Sequence, residues 1–385
     1  MEEEKQVMIQ EMATQPDFVR RNLSPMLEAM REAVAARPEH AVSSGFSIGC
    51  GDSYCAALAS RSFMMDAMRR MIEPVESLEF ARYLVEYMPA GAFVFGVSNS
   101  GTVSRTIEGV RLARERGAWT FAVTVDSANR LANTAETLVK VNATPNIKER
   151  PDGTRVITPG TVTYTASLLG LCLAGVALGE RIGSLDARRS RAIVDEFQRL
   201  ADAMAIADEA SRTTAAEIAV SFTPDRKTVI LGGGPNYATA YFGMAKWHEA
   251  LTRPCHTSEL EEWAHEEYFI TDEETDTFIL LPPGGGHSRG LEQAMAARDM
   301  GSRVIVIAAA GDEDARRAAD ILFAMPPDIA EPLTPFVYKA PFEHLSCQIA
   351  IEQKIPFLGF HNPKRQQVNF RQIFNSAEAA KAQSA

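Results

Sequence analysis

Two rhythms of apolar residues run through the chain. Short, largely apolar runs at 93–97, 119–125, 137–141, 277–281 and 303–308 have the length and β-branched or aromatic content of strands buried on both faces. Shorter runs at 45–48, 74–77 and 227–231 read the same way. Between them, apolar residues recur at helical spacing over 56–70, 103–116, 161–178, 237–251, 287–300 and 335–351. A short helix is expected around Glu79, Phe80 and Tyr83. Strands alternating with helices at this spacing predict doubly wound parallel sheets. Ahead of the first strand the pattern predicts two helices, 2–12 and 18–36, with Pro16 and Pro25 near starts or breaks. Residues 183–224 are charged and Ala-rich yet keep a helical period, which marks a connector rather than a disordered linker. From Phe357 the chain is polar with aromatic spots. The expected fold is α/β: N-terminal helices over 1–40, a first sheet domain over 41–182, a helical connector over 183–224, a second sheet domain over 225–356, and a tail over 357–385.

The halves repeat each other. Tyr54 lies three residues after Gly51, and Tyr237 three after Gly234. Glu79-Phe80-Ala81 begins 28 residues after Gly51, as Glu262-Trp263-Ala264 begins 28 after Gly234. Ser98-Asn99-Ser100-Gly101 and Leu281-Pro282-Pro283-Gly284 each begin 47 residues after the corresponding glycine. Ungapped coincidences of this kind indicate a tandem duplication. The first copy keeps hydroxyls in the turn after its central strand and the second has prolines there, so any bound phosphate is expected in the first half.

Composition narrows the class. Over 385 residues the net charge is −11, with no basic run, which argues against a nucleic-acid footprint. An anionic metabolite is still admissible, because a local turn binds it rather than the net charge. The five cysteines are scattered and odd in number, which fits reduced thiols better than a disulfide framework, and Cys50 and Cys55 lack metal-ligand spacing. The acidic start, MEEEKQVMIQEM, is unlike a secretory signal, and the longest apolar run, 168–178, is short for a membrane span. A cytoplasmic protein that uses neither a metal nor a redox cofactor is expected.

Two stretches carry candidate chemistry. In FVFGVSNSGTVSRT a strand ends in a hydroxyl-rich turn and a helix begins. Helix starts present free N–H groups and partial positive charge, and Ser98, Ser100, Thr102 and Thr106 add O–H donors beside a permissive Gly101. No Lys follows as in a nucleotide P-loop. The turn fits a phosphate cradle, and it fits a simple helix cap as well. In the second half, Lys246 and Glu249 lie three apart on one helix face, where the first copy has Phe63 and Asp66. His265 stands where the first copy has Arg82. A Glu and a His on neighbouring elements suit proton transfer near neutral pH, while the alternatives are a surface ion pair and a solvent-facing imidazole.

Taken together these motifs resemble the sugar isomerase (SIS) superfamily in its two-domain form, as in the isomerase half of glutamine–fructose-6-phosphate amidotransferase and in fructosamine-6-phosphate deglycases. The resemblance runs from QEMATQPDFVRRNL into the tail. CGDSY resembles the family's CGTSY, which implies Ser53 as a sugar-phosphate ligand. SNSGT resembles SQSGE, implying Ser98, Asn99 and Ser100 as phosphate binders. The family has Thr two residues after the glycine; Val103 stands here, leaving Thr102 or Ser104 to substitute. TVTYTAS resembles VASTKAF, which makes Thr163 a ligand candidate and places Thr165 at the family's Lys. GMAKWHE resembles GALKLKE, carrying the active-site Lys and the proton-shuttling Glu onto Lys246 and Glu249. EWAHE resembles ELKHG, carrying the ring-opening His onto His265, with Glu266 in place of Gly.

The resemblance implies a phosphosugar isomerase or deglycase that opens the ring of a 6-phosphorylated ketosamine or aminosugar and moves a proton between C1 and C2. The alternative is a sugar-phosphate-binding regulatory protein without chemistry. Because the chain starts MEEEK, without the glutaminase domain and its initial Cys, a complete amidotransferase is not expected. A homodimer is implied, with His265 serving its own or the neighbouring subunit's site. Arg253, Glu259 and the aromatic tail are candidates for reading an aglycone.

Overall fold

In the computed structural model, residues 2–143 and 156–376 are described. The chain opens with one helix, α1 (Glu2–Ala35), not two; Pro16 and Pro25 lie inside it. An interior proline costs ~3 kcal/mol. Met8, Met12, Val19, Leu23, Met26, Leu27, Met30 and Val34 keep a helical stripe across both prolines and are all buried. At roughly 1.5–3 kcal/mol per buried side chain, that stripe outweighs both breaks.

The first domain follows as β1 (Gly45–Gly49), α2 (Asp52–Met68), β2 (Ile72–Glu76), the short α3 (Ser77–Glu79), β3 (Phe93–Val97), α4 (Ser104–Glu115), β4 (Trp119–Thr124), the short α5 (Arg130–Thr134), β5 (Thr137–Lys140) and α6 (Val162–Arg181). Its sheet is parallel in the order β2-β1-β3-β4-β5. The helix α7 (Ala187–Ser221) then leads to β6 (Lys227–Gly232), α8 (Pro235–Leu251), β7 (His256–Glu259), α9 (Leu260–Trp263), β8 (Thr275–Leu281), α10 (His287–Asp299), β9 (Arg303–Ala309), α11 (Glu313–Ala318), β10 (Ile321–Met325), α12 (Pro335–Tyr338) and α13 (Ala340–Glu352). The second sheet, β7-β6-β8-β9-β10, repeats the first strand for strand. The protein is thus two tandem doubly wound parallel-sheet domains with connecting helices.

The repeat reaches the backbone angles. Gly51 and Gly234, which precede α2 and α8, share φ 55° and ψ −130°, a conformation that favours glycine. Both helices end on a left-handed residue, Arg69 and Thr252, at the same offset. One apolar core, including Phe93 and Phe95 of the first sheet and Phe278 and Phe323 of the second, runs through both domains and the helices between them.

Several elements depart from the sequence pattern. The 335–351 helix is two helices meeting at Lys339, because Pro341 lies in the first turn of α13. The strands β7 and β10 add to those expected in the second half. Part of the tail is a helix, α14 (Pro363–Phe374), started by the Asn362 side chain accepting from the Lys364 and Arg365 N–H groups. The helix α6 is 20 residues long and by length and composition alone would cross a membrane, longer than its apolar run suggests; 94% of its most apolar window is buried inside the protein.

Candidate functional site

In a 2-1-3-4-5 parallel sheet the helices after the first and third strands leave on opposite faces, which opens a crevice at the carboxyl ends of those strands. Here that places the 50–53 turn, entering α2, beside the 98–103 turn, entering α4. Both turns are tight. A Cβ on Gly49 would lie 2.7 Å from the backbone of Ser53 and Tyr54. Gly101 has φ 64°, and a Cβ there would fall 2.0 Å from Asn129 Cγ. The Gly101 N–H donates to the Ser98 carbonyl at 2.9 Å, and the Ser98 N–H to the Val123 carbonyl at 3.0 Å.

The polar groups of this turn are under-used. Ser98 is 1% exposed, and neither its Oγ nor the buried Asn99 Oδ1 has a hydrogen-bond partner. An unmet buried polar group costs about 1–3 kcal/mol, and a ligand can recover it. Ser100 Oγ and Thr102 Oγ1 bond each other at 2.8 Å, toward solvent. α4 starts on apolar Val103 with no side-chain cap, so its first N–H groups are open to an anion. Thr106 is not part of this set: its hydroxyl is buried and bonded to Ser77 Oγ at 2.9 Å.

A second cluster stands beside the 50–53 turn, because the first turn of α2 packs against the later turns of α8. Lys246 is wholly buried, and its Nζ donates to Asp52 Oδ2 at 2.8 Å, the Gly160 carbonyl at 3.0 Å and Glu249 Oε2 at 2.5 Å. Its ammonium also lies 4.8 Å from the Phe242 ring centroid. A Cβ on Gly160 would meet Asp52 Oδ2 at 2.4 Å and Thr163 Oγ1 at 3.2 Å, so Thr163, in the first turn of α6, flanks the same point. Half-buried Ser53 is next to Asp52. Lys246, Glu249, Ser53 and Thr163 are therefore brought together.

The charges in this cluster are interdependent. Burial above all, with the Asp52 charge, raises the Glu249 carboxyl to about 7 against the opposing pull of Lys246. Burial alone would lower the Lys246 ammonium, but its two carboxylate partners outweigh that and raise it. Glu249 keeps 32% side-chain exposure, enough to reach a ligand in the crevice. Asp52 escaped the motif reading: in CGDSY it fills the position of a neutral Thr in CGTSY, and that change of charge was the available signal.

The structure does not bring His265 to this cluster. It lies on the surface with 66% side-chain exposure, and its recorded ion-pair partner is Glu261, at 3.6 Å. Thr165 points away from the crevice, its buried hydroxyl donating to Gln15, which also accepts from Lys339 at 2.6 Å. Arg253 Nη1 donates to the Pro224 carbonyl at 2.9 Å, while its buried Nε has no partner. Among the described residues, no group of three or more His, Cys, Asp or Glu is placed to hold a metal ion.

A family model for the SIS domain matches residues 43–171, the span that holds both turns. Over a longer span the chain is similar to glutamine–fructose-6-phosphate aminotransferase. The isomerizing enzyme of that name from Thermus thermophilus is 25% identical over 305 residues, covering 79% of this chain and 48% of that protein. The chain thus spans about half the length of the curated relatives it matches. Among solved structures, the C-terminal domain of glucosamine-fructose-6-phosphate aminotransferase from Francisella tularensis superposes with a TM-score of 0.78 at 16% identity, covering 90% of this chain and 96% of that one. Tagatose-6-phosphate ketose/aldose isomerase from Escherichia coli gives a TM-score of 0.71 at 14% identity, covering 90% and 93%. At these identities the structures establish the shared fold.

Proposed function

We propose that the protein is an enzyme acting on a 6-phosphorylated sugar or ketosamine, by ring opening and proton transfer between C1 and C2. The observation that carries this reading is a mostly buried but reachable carboxyl, Glu249, raised to about 7 beside the crevice in which the Ser98 and Asn99 polar groups lack partners. A general base works best with its pKa near the operating pH, and such a step is worth roughly 10²–10⁴-fold.

In this scheme Ser98, Asn99, Ser100 and Thr102, with the N-terminus of α4, take the phosphate, and Ser53 and Thr163 take the sugar. The phosphate then supplies binding energy remote from the reacting carbons. Glu249 removes a proton from one carbon and returns it to the other through an enediol. For a ketosamine it takes the C1 proton and delivers one to C2, giving an imine at C1. Water hydrolyses that imine to the aldose phosphate and the free amine. Lys246 has no N–H to spare, so it orients Glu249 rather than binding substrate. His265 assists ring opening in the crevice of a neighbouring subunit, which requires a homodimer. Exposed Tyr83, Tyr87, Phe269 and Ile270 supply apolar surface for that contact.

The test is to incubate the purified protein with a panel of 6-phosphosugars and 6-phosphofructosamines while following free amine and aldose–ketose interconversion. Amine release identifies a deglycase, and interconversion alone an isomerase. Tight phosphosugar binding with neither would overturn the enzyme reading in favour of a binding regulator.

A further inference from the structure

Asp52 sits in the CGDSY turn but has no role in the functional reading, yet its place is prepared from two sides. Lys246 gives it one of three N–H bonds, and Gly160, which has no side chain, leaves room for its carboxylate where a Cβ would sit 2.4 Å from Oδ2. Its other oxygen, Oδ1, is buried without a partner. Asp52 also opens the 17-residue helix α2, whose N-terminal end favours a negative charge.

The consequence lies in how one ammonium serves two carboxylates. With Asp52 present, Lys246 is divided between Asp52, the Gly160 carbonyl and Glu249. Without it, the only carboxylate left to the buried ammonium among these partners is Glu249. A fully paired Glu249 is held ionised and in place, which is the wrong state for a group that must both accept and return a proton. We propose that Asp52 is a positioning residue: by drawing Lys246 partly onto itself, it keeps Glu249 free to exchange a proton at the crevice. This rests on the reading of Glu249 as the proton-transfer group.

The charged groups that act on Glu249 are Lys246 of α8 and Asp52 of α2, and Glu249 in turn acts on the buried Cys55 of α2; the same two helices also carry Tyr54, Tyr237, Tyr241 and His248. Burial, Lys246 and Asp52 set the Glu249 carboxyl, and of these Asp52 is the charge that pushes it upward.

The test needs no substrate. Glu249 is followed by carboxyl-carbon NMR across pH 4–9, assigned by loss of its signal in Glu249→Gln. In the unmodified protein the midpoint is expected near 7. In Asp52→Asn, which keeps the shape and removes the charge, it should fall by about one pH unit or more, as expected on losing a like charge within a few ångströms. Gly160→Ala, which crowds Asp52 off Lys246 without removing any charge, should move it the same way by less. An unchanged midpoint in either variant, with native circular dichroism, overturns the proposal and leaves Asp52 as a structural ion-pair partner. If Asp52→Asn does not fold, Gly160→Ala decides. Failure to turn over any phosphosugar would remove the enzymatic reading while leaving the Asp52 control of Glu249 to stand or fall on the titration. Where turnover is found, the acid limb of kcat/KM should move with the midpoint.

Discussion

The two carboxyl-end edges of this molecule were built on one plan, and their contents differ. At the first edge, the turn after β3 offers Ser98 and Asn99 with unspent polar atoms. At the second, the turn after β8 is Leu281-Pro282-Pro283-Gly284, and a carboxylate of the chain itself fills the hollow. Glu331 Oε2 accepts the Gly285 N–H at 3.2 Å, and a Cβ on Gly284 would meet Glu331 Cδ at 2.1 Å. The helix positions that face each edge diverge in step. Lys246 and Glu249 of α8 attend the first edge. Their counterparts on α2 are Phe63, packed on Phe197 with ring centroids 5.6 Å apart, and Asp66, paired with Arg69 and Arg189 at 2.8 and 2.5 Å. The turn after β3 has kept unsatisfied groups and the turn after β8 has its hollow filled by Glu331, although Asn236 Oδ1 in the first turn of α8 is also buried without a partner. Orphaned polarity persists where something else is meant to meet it.

The sharpest way to break this contrast is Glu249→Gln. Turnover of the substrate found in the panel should fall by roughly 10²–10⁴-fold, with phosphosugar affinity by calorimetry nearly unchanged. Loss of affinity together with turnover would assign Glu249 to binding or folding instead.

Next in size is a pair of alanines at equivalent glycines. Gly101→Ala forces a side chain into φ 64° against Asn129 and should cost about 1–3 kcal/mol, read by urea unfolding. Gly284→Ala meets only the end of the flexible Glu331 side chain and should cost less. Equal costs would mean that the two turns are equally constrained.

Ser98→Ala separates binding from stability at the first edge. It should weaken phosphosugar binding about tenfold, the worth of one good hydrogen bond, while the ligand-free melting temperature holds or rises because a buried hydroxyl without a partner is gone. A fall in melting temperature with unaltered binding would make Ser98 a structural residue.

The remaining effect concerns pH. A carboxyl raised from 4.5 to about 7 on folding adds stability below its unfolded pKa, and that contribution is lost as pH rises through the folded value. The melting temperature of Glu249→Gln minus that of the unmodified protein should therefore become more positive from pH 4.5 to pH 8. A flat difference would show that Glu249 titrates in the ordinary range.

Much of this was legible in the residues. The β3 run, Phe93–Val97, is buried throughout and reads as a strand without help. The repeat offset, taken from three short coincidences, carries through to the φ of Gly51 and Gly234. What escaped was set by partners rather than by local pattern. β7 is His256-Thr257-Ser258-Glu259, too polar for a strand signal and placed by pairing with β6 at the sheet edge. The two prolines of α1 read as breaks because the neighbours that bury its stripe are remote in sequence. In the site, Lys246 and Glu249 were visible as an i, i+3 pair, but Asp52 joins them from another domain, and no spacing rule connects residues so far apart. Thr106 failed for the opposite reason: it has the right chemistry in the right turn, but its hydroxyl is already taken by Ser77.

The single helix α1 has a further consequence, for the order in which the molecule can be made. Its Lys5 ammonium ends on the Ala350 carbonyl, and its Gln15 amide on Glu343, 328 residues away. At roughly 5–20 residues per second, synthesis separates these partners by on the order of tens of seconds. Until α13 has been made, the stripe from Met8 to Val34 can be covered by α6 and α7. The helix therefore joins residues ahead of the first domain to the end of the second only once both domains have been made.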